Sequence, residues 1–184
     1  MKSNCRFIHC CLLLVLAFHI PLASAEPIWQ NPVIQGDGKV HPMPEAAVQP
    51  SRDREYKILF DVTKAAGTPD QVNPGLEHVA RLINLFALAK VPPKKLKIVA
   101  VLHGPATSVA LDDPHYREKY QIDNPNRKLI DALKRTGAVV YVCGQALAHN
   151  GFESAWVNRD VSVALAALTV LSAYQLDGYV LIPE

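Results

Sequence analysis

After about residue 56 the chain alternates short apolar runs with helical patterns, and two of those helices are announced by Asn-Pro pairs. These observations predict an α/β domain in three layers, a parallel sheet covered by helices on both faces. Composition agrees: of 184 residues 49% are hydrophobic and 20% charged, with 9 Gly and 14 Pro, the profile of an ordinary globular domain. A collagenous, disordered or repeat protein is excluded.

The elements follow in order. Lys57-Ile58-Leu59-Phe60-Asp61-Val62 is a short apolar run bounded by polar residues, as a buried strand is. A loop with Gly67 and Pro69 leads to Asn73-Pro74, a capping side chain before a proline at the first helical position. The helix it opens runs to about Lys90, with Leu76, Val79, Ile83 and Phe86 inward and Leu82, Leu85 and Leu88 widening the apolar arc. Pro92-Pro93 stops it, and residues 96–102 form a second strand ending at His103-Gly104. Residues 105–122 read as irregular. Asn124-Pro125 then opens a helix bearing Leu129, Ile130 and Leu133, which Gly137 terminates. Residues 138–142 are a third strand that stops at Cys143, and Gly144 begins a short helical turn. A short strand near residues 160–163, an apolar helix over about 164–175 and a last strand over 178–182 complete the alternation. A helix apolar almost all round is buried on more than one side, which places residues 164–175 at or near a subunit interface.

The segments before the domain have their own character. Residues 1–25 show Lys2 and Arg6, an apolar stretch over 10–20, Pro21, and Ala23-Ser24-Ala25, the layout of a cleavable secretory signal. The apolar stretch is short of the ~20 residues that span a bilayer, so no stable membrane insertion is expected and the protein is expected to be periplasmic or secreted. Residues 26–55 hold Pro27, Pro32, Pro42, Pro44 and Pro50 with little apolar periodicity, and read as an extended arm, laid on the domain or disordered. The domain proper is residues 56–184. Lys2 and Arg6 account for the formal net charge of +2; a balanced remainder argues against nucleic acid as partner.

Cysteine usage narrows the chemistry. Cys5, Cys10 and Cys11 leave with the signal, so Cys143 remains alone, and no intrachain disulfide or Cys-x-x-Cys exchange is available. In open parallel sheets ligands bind at the carboxyl ends of strands, and three strands end near Asp61, His103 and Cys143. The turn after Cys143 aims free N–H groups at its sulfur, a placement that favours thiolate. Cys143 is therefore the candidate nucleophile, with packing as the alternative role. His103 is a base or a hydrogen-bonding partner. Asp61 orients a ligand or caps the following loop. Gly144 permits close approach, Gln145 brings an amide to the rim, and His149 is near enough in sequence to join it. His78 and Arg81 are expected to face water on the first helix. Asp112, Asp113 and His115 lack fixed ligand spacing and read as a solvated turn, so no metal site is expected. No Gly-x-Gly-x-x-Gly, Walker-type loop or Gly-x-Ser-x-Gly is present, and no cofactor is expected.

Residues 57–62, Val99-Ala100-Val101-Leu102-His103-Gly104, Val140-Tyr141-Val142-Cys143-Gly144-Gln145 and the closing stretch with Gln175-Leu176-Asp177-Gly178-Tyr179 together resemble the DsrE/DsrF-like family, in particular its exported members, over residues 56–184. The resemblance implies a three-layer α/β/α sandwich with a mainly parallel five-stranded sheet, assembled as a homotrimer or homohexamer. It also implies that Cys143 matches the cysteine that carries sulfane sulfur as a persulfide in relay members, where a donor or acceptor protein is the partner. Two departures are the signal segment and the Pro-rich arm. Three readings stay open: an exported persulfide carrier or sulfurtransferase-like protein, a non-catalytic oligomeric module that binds a small ligand with Cys143 as packing, and a structural role centred on the apolar helix.

Overall fold

The computed structural model describes residues 28–184; the signal segment expected over residues 1–25 lies outside the described residues. Five strands form one sheet in the order β4-β3-β2-β1-β5, all parallel. They are β1 Tyr56–Val62, β2 Leu96–Leu102, β3 Val139–Cys143, β4 Ser162–Ala164 and β5 Val180–Pro183, and the helices are α1 Pro74–Leu88, α2 Asp113–Tyr120, α3 Arg127–Arg135, α4 Gly144–His149 and α5 Ala167–Leu176. The predicted α/β architecture is the one the chain adopts.

Alternation along the strands divides the core in two. Ile58, Phe60, Val62, Ala100, Leu102, Val140 and Val142 face α1 and α3, where Leu76, Val79, Ile83, Leu129, Ile130 and Leu133 complete the larger cluster. Leu59, Val99, Val101 and Cys143 face the other way and meet Ala167 and Val170 of α5. On that side Tyr141 and Tyr174 join hydroxyls at 3.0 Å, and burial together with this bond raises the Tyr174 phenol above its usual pKa. One short helix covers little area, so Leu165, Leu168 and Leu176 stay 72, 76 and 87% exposed.

α1 begins as its sequence requires: the Asn73 side chain accepts from the N–H groups of Gly75 and Leu76, with Pro74 at the first position. It stops at Leu88, two residues early, because Lys90 turns into the left-handed region at φ 59° and Val91 N–H reaches back to Phe86 O at 3.0 Å. Gly137 does end α3: at φ 89° it lets Ala138 N–H bond Leu133 O and its own N–H bond Lys134 O.

Four expectations are corrected. Residues 105–122 are not irregular, since 104–110 form a 3-10 turn and α2 follows with Asp112 as its N-cap, accepting from His115 N–H. Asp112 and His115 thus cap a helix rather than decorate a solvated turn, and Asp113 accepts from Asn124 N–H. Asn124 does not cap α3. Its side-chain amide donates inward to Val109 O and Leu111 O, and its oxygen accepts from Asn126, whose own oxygen accepts from Asn73 N–H, so three buried asparagines lace the loops of the carboxyl side together. Finally, α5 starts at Ala167 rather than about 164, because Ser162–Ala164 pairs with β3 and the chain must still cross over.

Residues 28–55 lie against α1. Ile34 and Val40 are buried, Gln30 and Val40 pair as an antiparallel bridge, and Gly38 passes so close that a Cβ there would sit 2.4 Å from Arg81 N. Burial, and then the charge of Glu77, raise the pKa of Asp37 in this turn. An acid whose folded pKa is raised is stabilised by protonation on folding, so its cost is full above the folded pKa and vanishes below the unfolded one. Asp37→Asn is therefore expected to raise the thermal midpoint at pH 7, with the gain shrinking to nothing in acid; a gain that does not fade with falling pH would refute this account.

Candidate functional site at the carboxyl edge of the sheet

Asp61, His103 and Cys143 fall on one rim, and the register explains why. Asp61 pairs with Val101 and Leu102 with Val142, so one step further His103 lies level with Cys143 on the adjacent strand. All three have the parity of Leu59, Val99 and Val101, the α5 face. His103 Nε2 meets Asp61 Oδ1 at 2.5 Å with both side chains about one quarter exposed, while His103 N–H donates to Val62 O. Asp61 is thus neither a loop cap nor a free ligand for substrate; it holds the imidazole by one nitrogen and leaves Nδ1 available. Glu184 closes the same rim: its N–H donates to Asp61 O, its carbonyl accepts from Thr63 N–H and from Thr63 Oγ1 at 2.8 Å. Its carboxylate also reaches His78 Nδ1 at 2.5 Å, so His78 is partnered rather than simply solvated.

Cys143 sits at the junction of β3 and α4. Ala146 N–H donates to Sγ at 3.4 Å, the amide-to-sulfur contact that the turn predicts. The residue is only 6% exposed, packed with Leu59, Val99, Val101, Ala167 and Val170. An openly presented thiol is therefore not what the single chain shows. Gly144 explains the closure, because a Cβ there would lie 2.8 Å from Ala164 O and 3.3 Å from Leu165 O; only glycine lets the crossover from β4 to α5 fold down beside the sulfur. Gln145 contributes to the same seal by donating to Leu165 O at 3.3 Å, and so points to the crossover instead of the rim. His149 is the last residue of α4 and exposed, about 7 Å further along the helix axis than Gly144, and is not brought to the sulfur.

Sequence reasoning missed Glu184 and Thr63, whose signal is only the register of β5 beside β1. Among the described residues no group of three or more His, Cys, Asp or Glu side chains could hold a metal ion, and no helix is long and apolar enough to cross a membrane.

Fold and rim together define a parallel α/β sandwich with one cysteine at the carboxyl edge of its third strand. The profile of the DsrE/DsrF-like family matches residues 57–183, and the chain belongs to that family. Among solved structures it is similar to a protein of unknown function from Methanobacterium thermoautotrophicum, MTH1491, with a TM-score of 0.55 and 15% identity over 71% of this chain and 100% of that one, a likeness of fold. It is also similar to the ychN protein from E. coli, with a TM-score of 0.49 and 14% identity over 70% of this chain and 99% of that one. No curated protein matches the chain significantly.

Proposed function

We propose that this is an exported member of the family that handles sulfane sulfur through Cys143, as a persulfide carrier or sulfurtransferase-like protein. The observation that carries the reading is the place of the sole cysteine among the described residues at the carboxyl end of β3, one step past the Leu102–Val142 pair and beside the strand that leads into the carboxylate-held His103. In the proposed step Cys143 thiolate attacks the outer sulfur of a persulfide or polysulfide. A new S–S bond forms as the old one breaks, and the donor leaves as its thiolate, so the exchange is redox-neutral. His103 takes the thiol proton before attack, Asp61 stabilises the imidazolium, and Ala146 N–H supports charge on sulfur. Gly144 allows the turn to close.

The buried thiol means that transfer requires the crossover after β4 to move or a partner to displace it. The exposed leucines of this region support self-association, as a homotrimer or homohexamer, and a sulfur donor or acceptor protein as further partner. The signal-like residues 1–25 support a periplasmic or secreted location.

Incubation with polysulfide followed by intact-mass and peptide analysis tests the reading: a gain of about 32 Da, one sulfur atom, on Cys143 is expected. No gain, under conditions where a control thiol reacts, would overturn it. A second reading, a ligand-binding module with Cys143 as packing, draws on the same apolar cluster; it requires Cys143→Ala to leave function intact.

A further inference from the structure

The outer side of α1 carries Leu82, Leu85 and Leu88, an apolar arc wider than the sheet can cover. Residues 41–54 run alongside it and border an open groove of about 690 Å³ with Met43, Val48 and Phe86 among its walls, a volume in the range of small-molecule sites. The segment is built rather than draped. Gln49 Nε2 donates to Met43 O at 2.8 Å, Ser51 N–H donates to the Tyr56 hydroxyl at 2.8 Å, and Arg52 Nε donates to Ala89 O at 3.2 Å. Pro42, Pro44 and Pro50 pre-set its extended path. Met43 and Val48 nevertheless stand 64 and 88% exposed at the mouth.

Charge identifies the occupant. No Asp or Glu lines the groove, and Arg54 is its only permanently charged side chain. Among the described residues no carboxylate lies within ion-pairing distance of that guanidinium. An apolar trough with one unpaired guanidinium is complementary to a molecule with an apolar body and one anionic head, since guanidinium receives a carboxylate through two parallel N–H bonds.

We propose that the groove between α1 and the Pro-rich segment binds an amphipathic organic monoanion, its apolar body on Leu82, Leu85 and Phe86 and its head on Arg54. The groove lies on the α1 side of the sheet and Cys143 on the α5 side, so the proposal stands independently of the sulfur chemistry.

Decanoate is the probe, titrated calorimetrically into the folded protein. Saturable binding at one site per chain is expected, weakened about tenfold by Arg54→Gln, the worth of one charge-assisted contact. Val48→Asp, a change at an exposed position that leaves folding intact, should weaken it as well, and decyltrimethylammonium should bind far less tightly. Absence of saturable binding overturns the proposal. So does decanoate binding indifferent to both substitutions, or equal binding of the cation, either of which would mark mere greasiness. A drop in oligomeric state on Val48→Asp, with no decanoate binding by either form, would show that a second copy occupies the groove and would equally overturn it.

Discussion

Asn84→Ala is expected to destabilise the protein by about 3 kcal/mol and to free residues 33–38 from α1. Asn84 is fully buried on a helix face otherwise given to apolar packing. Its Oδ1 accepts from Val33 N–H at 3.0 Å and Ile34 N–H at 2.9 Å. Its Nδ2 lies within bonding range of Ile34 O, Asp37 O and Gly38 O, at 3.3, 3.1 and 2.9 Å. Alanine removes every partner at once, and a buried backbone group left unpaired costs about 1–3 kcal/mol. Partial rehydration at the surface keeps the total below the sum. Ile34, at 1% exposure, loses its burial with the turn. The chemical-denaturation midpoint gives the energy, and amide exchange at Ile34 reports the release. Asn84→Asp, which sets a buried carboxylate against the same three carbonyl oxygens, should cost at least as much as alanine at pH 7. A loss under about 1 kcal/mol with Ile34 still protected would show that apolar contact alone seats the segment.

That interaction also shows why part of the molecule was legible in sequence and part was not. β1, β2 and β3 are continuous apolar runs because helices cover both faces, and α1 is announced by Asn73-Pro74; both signals are local. α2 has only Tyr116 buried, so no 3.6-residue stripe marks it. Its true announcement was the Asp112 cap before Pro114. Asn124-Pro125 resembles the α1 device letter for letter, yet Asn124 is recruited by the carbonyls of Val109 and Leu111, partners that exist only once the 3-10 turn has formed. Asn84 is equally silent, since nothing in its neighbours says that a chain 50 residues earlier will dock on it.

The site divides the same way. Strand ends are readable, so Asp61, His103 and Cys143 could be placed on one rim. The pairing of His103 with Asp61 depends on β1 lying beside β2 with Asp61 opposite Val101, and a sequence does not state strand order. Gln145 and His149 follow Cys143 closely in sequence, but Gln145 gives its amide to Leu165 O, a partner some twenty residues on, and His149 stands at the far end of α4, carried away at ~1.5 Å per residue. The burial of the thiol was hidden for a further reason: it is set by the crossover after β4, some twenty residues downstream, closing on a glycine.

Gly144→Ala should therefore open the thiol. The added methyl would stand 2.8 Å from Ala164 O, backbone that cannot swing aside as a side chain can, so the edge of the sheet must yield. β4 is the element most ready to do so, because it has three residues and pairs on one side only. Overpacking of this kind costs roughly 1–3 kcal/mol. If the strain is relieved whenever β4 lifts, the open population rises by the corresponding factor, about fivefold to 150-fold. Alkylation of Cys143 in the folded protein reads that population when reclosing outruns the reagent. A rate raised at least about fivefold is expected, with global stability lowered and the circular dichroism of the sheet retained. Gly144→Ser should act in the same direction, since its Cβ meets the same carbonyl. Should both variants stay folded and alkylate at the parental rate, the crossover does not gate the sulfur, and access must come through the side lined by Leu59 and Ala167 or through a partner subunit.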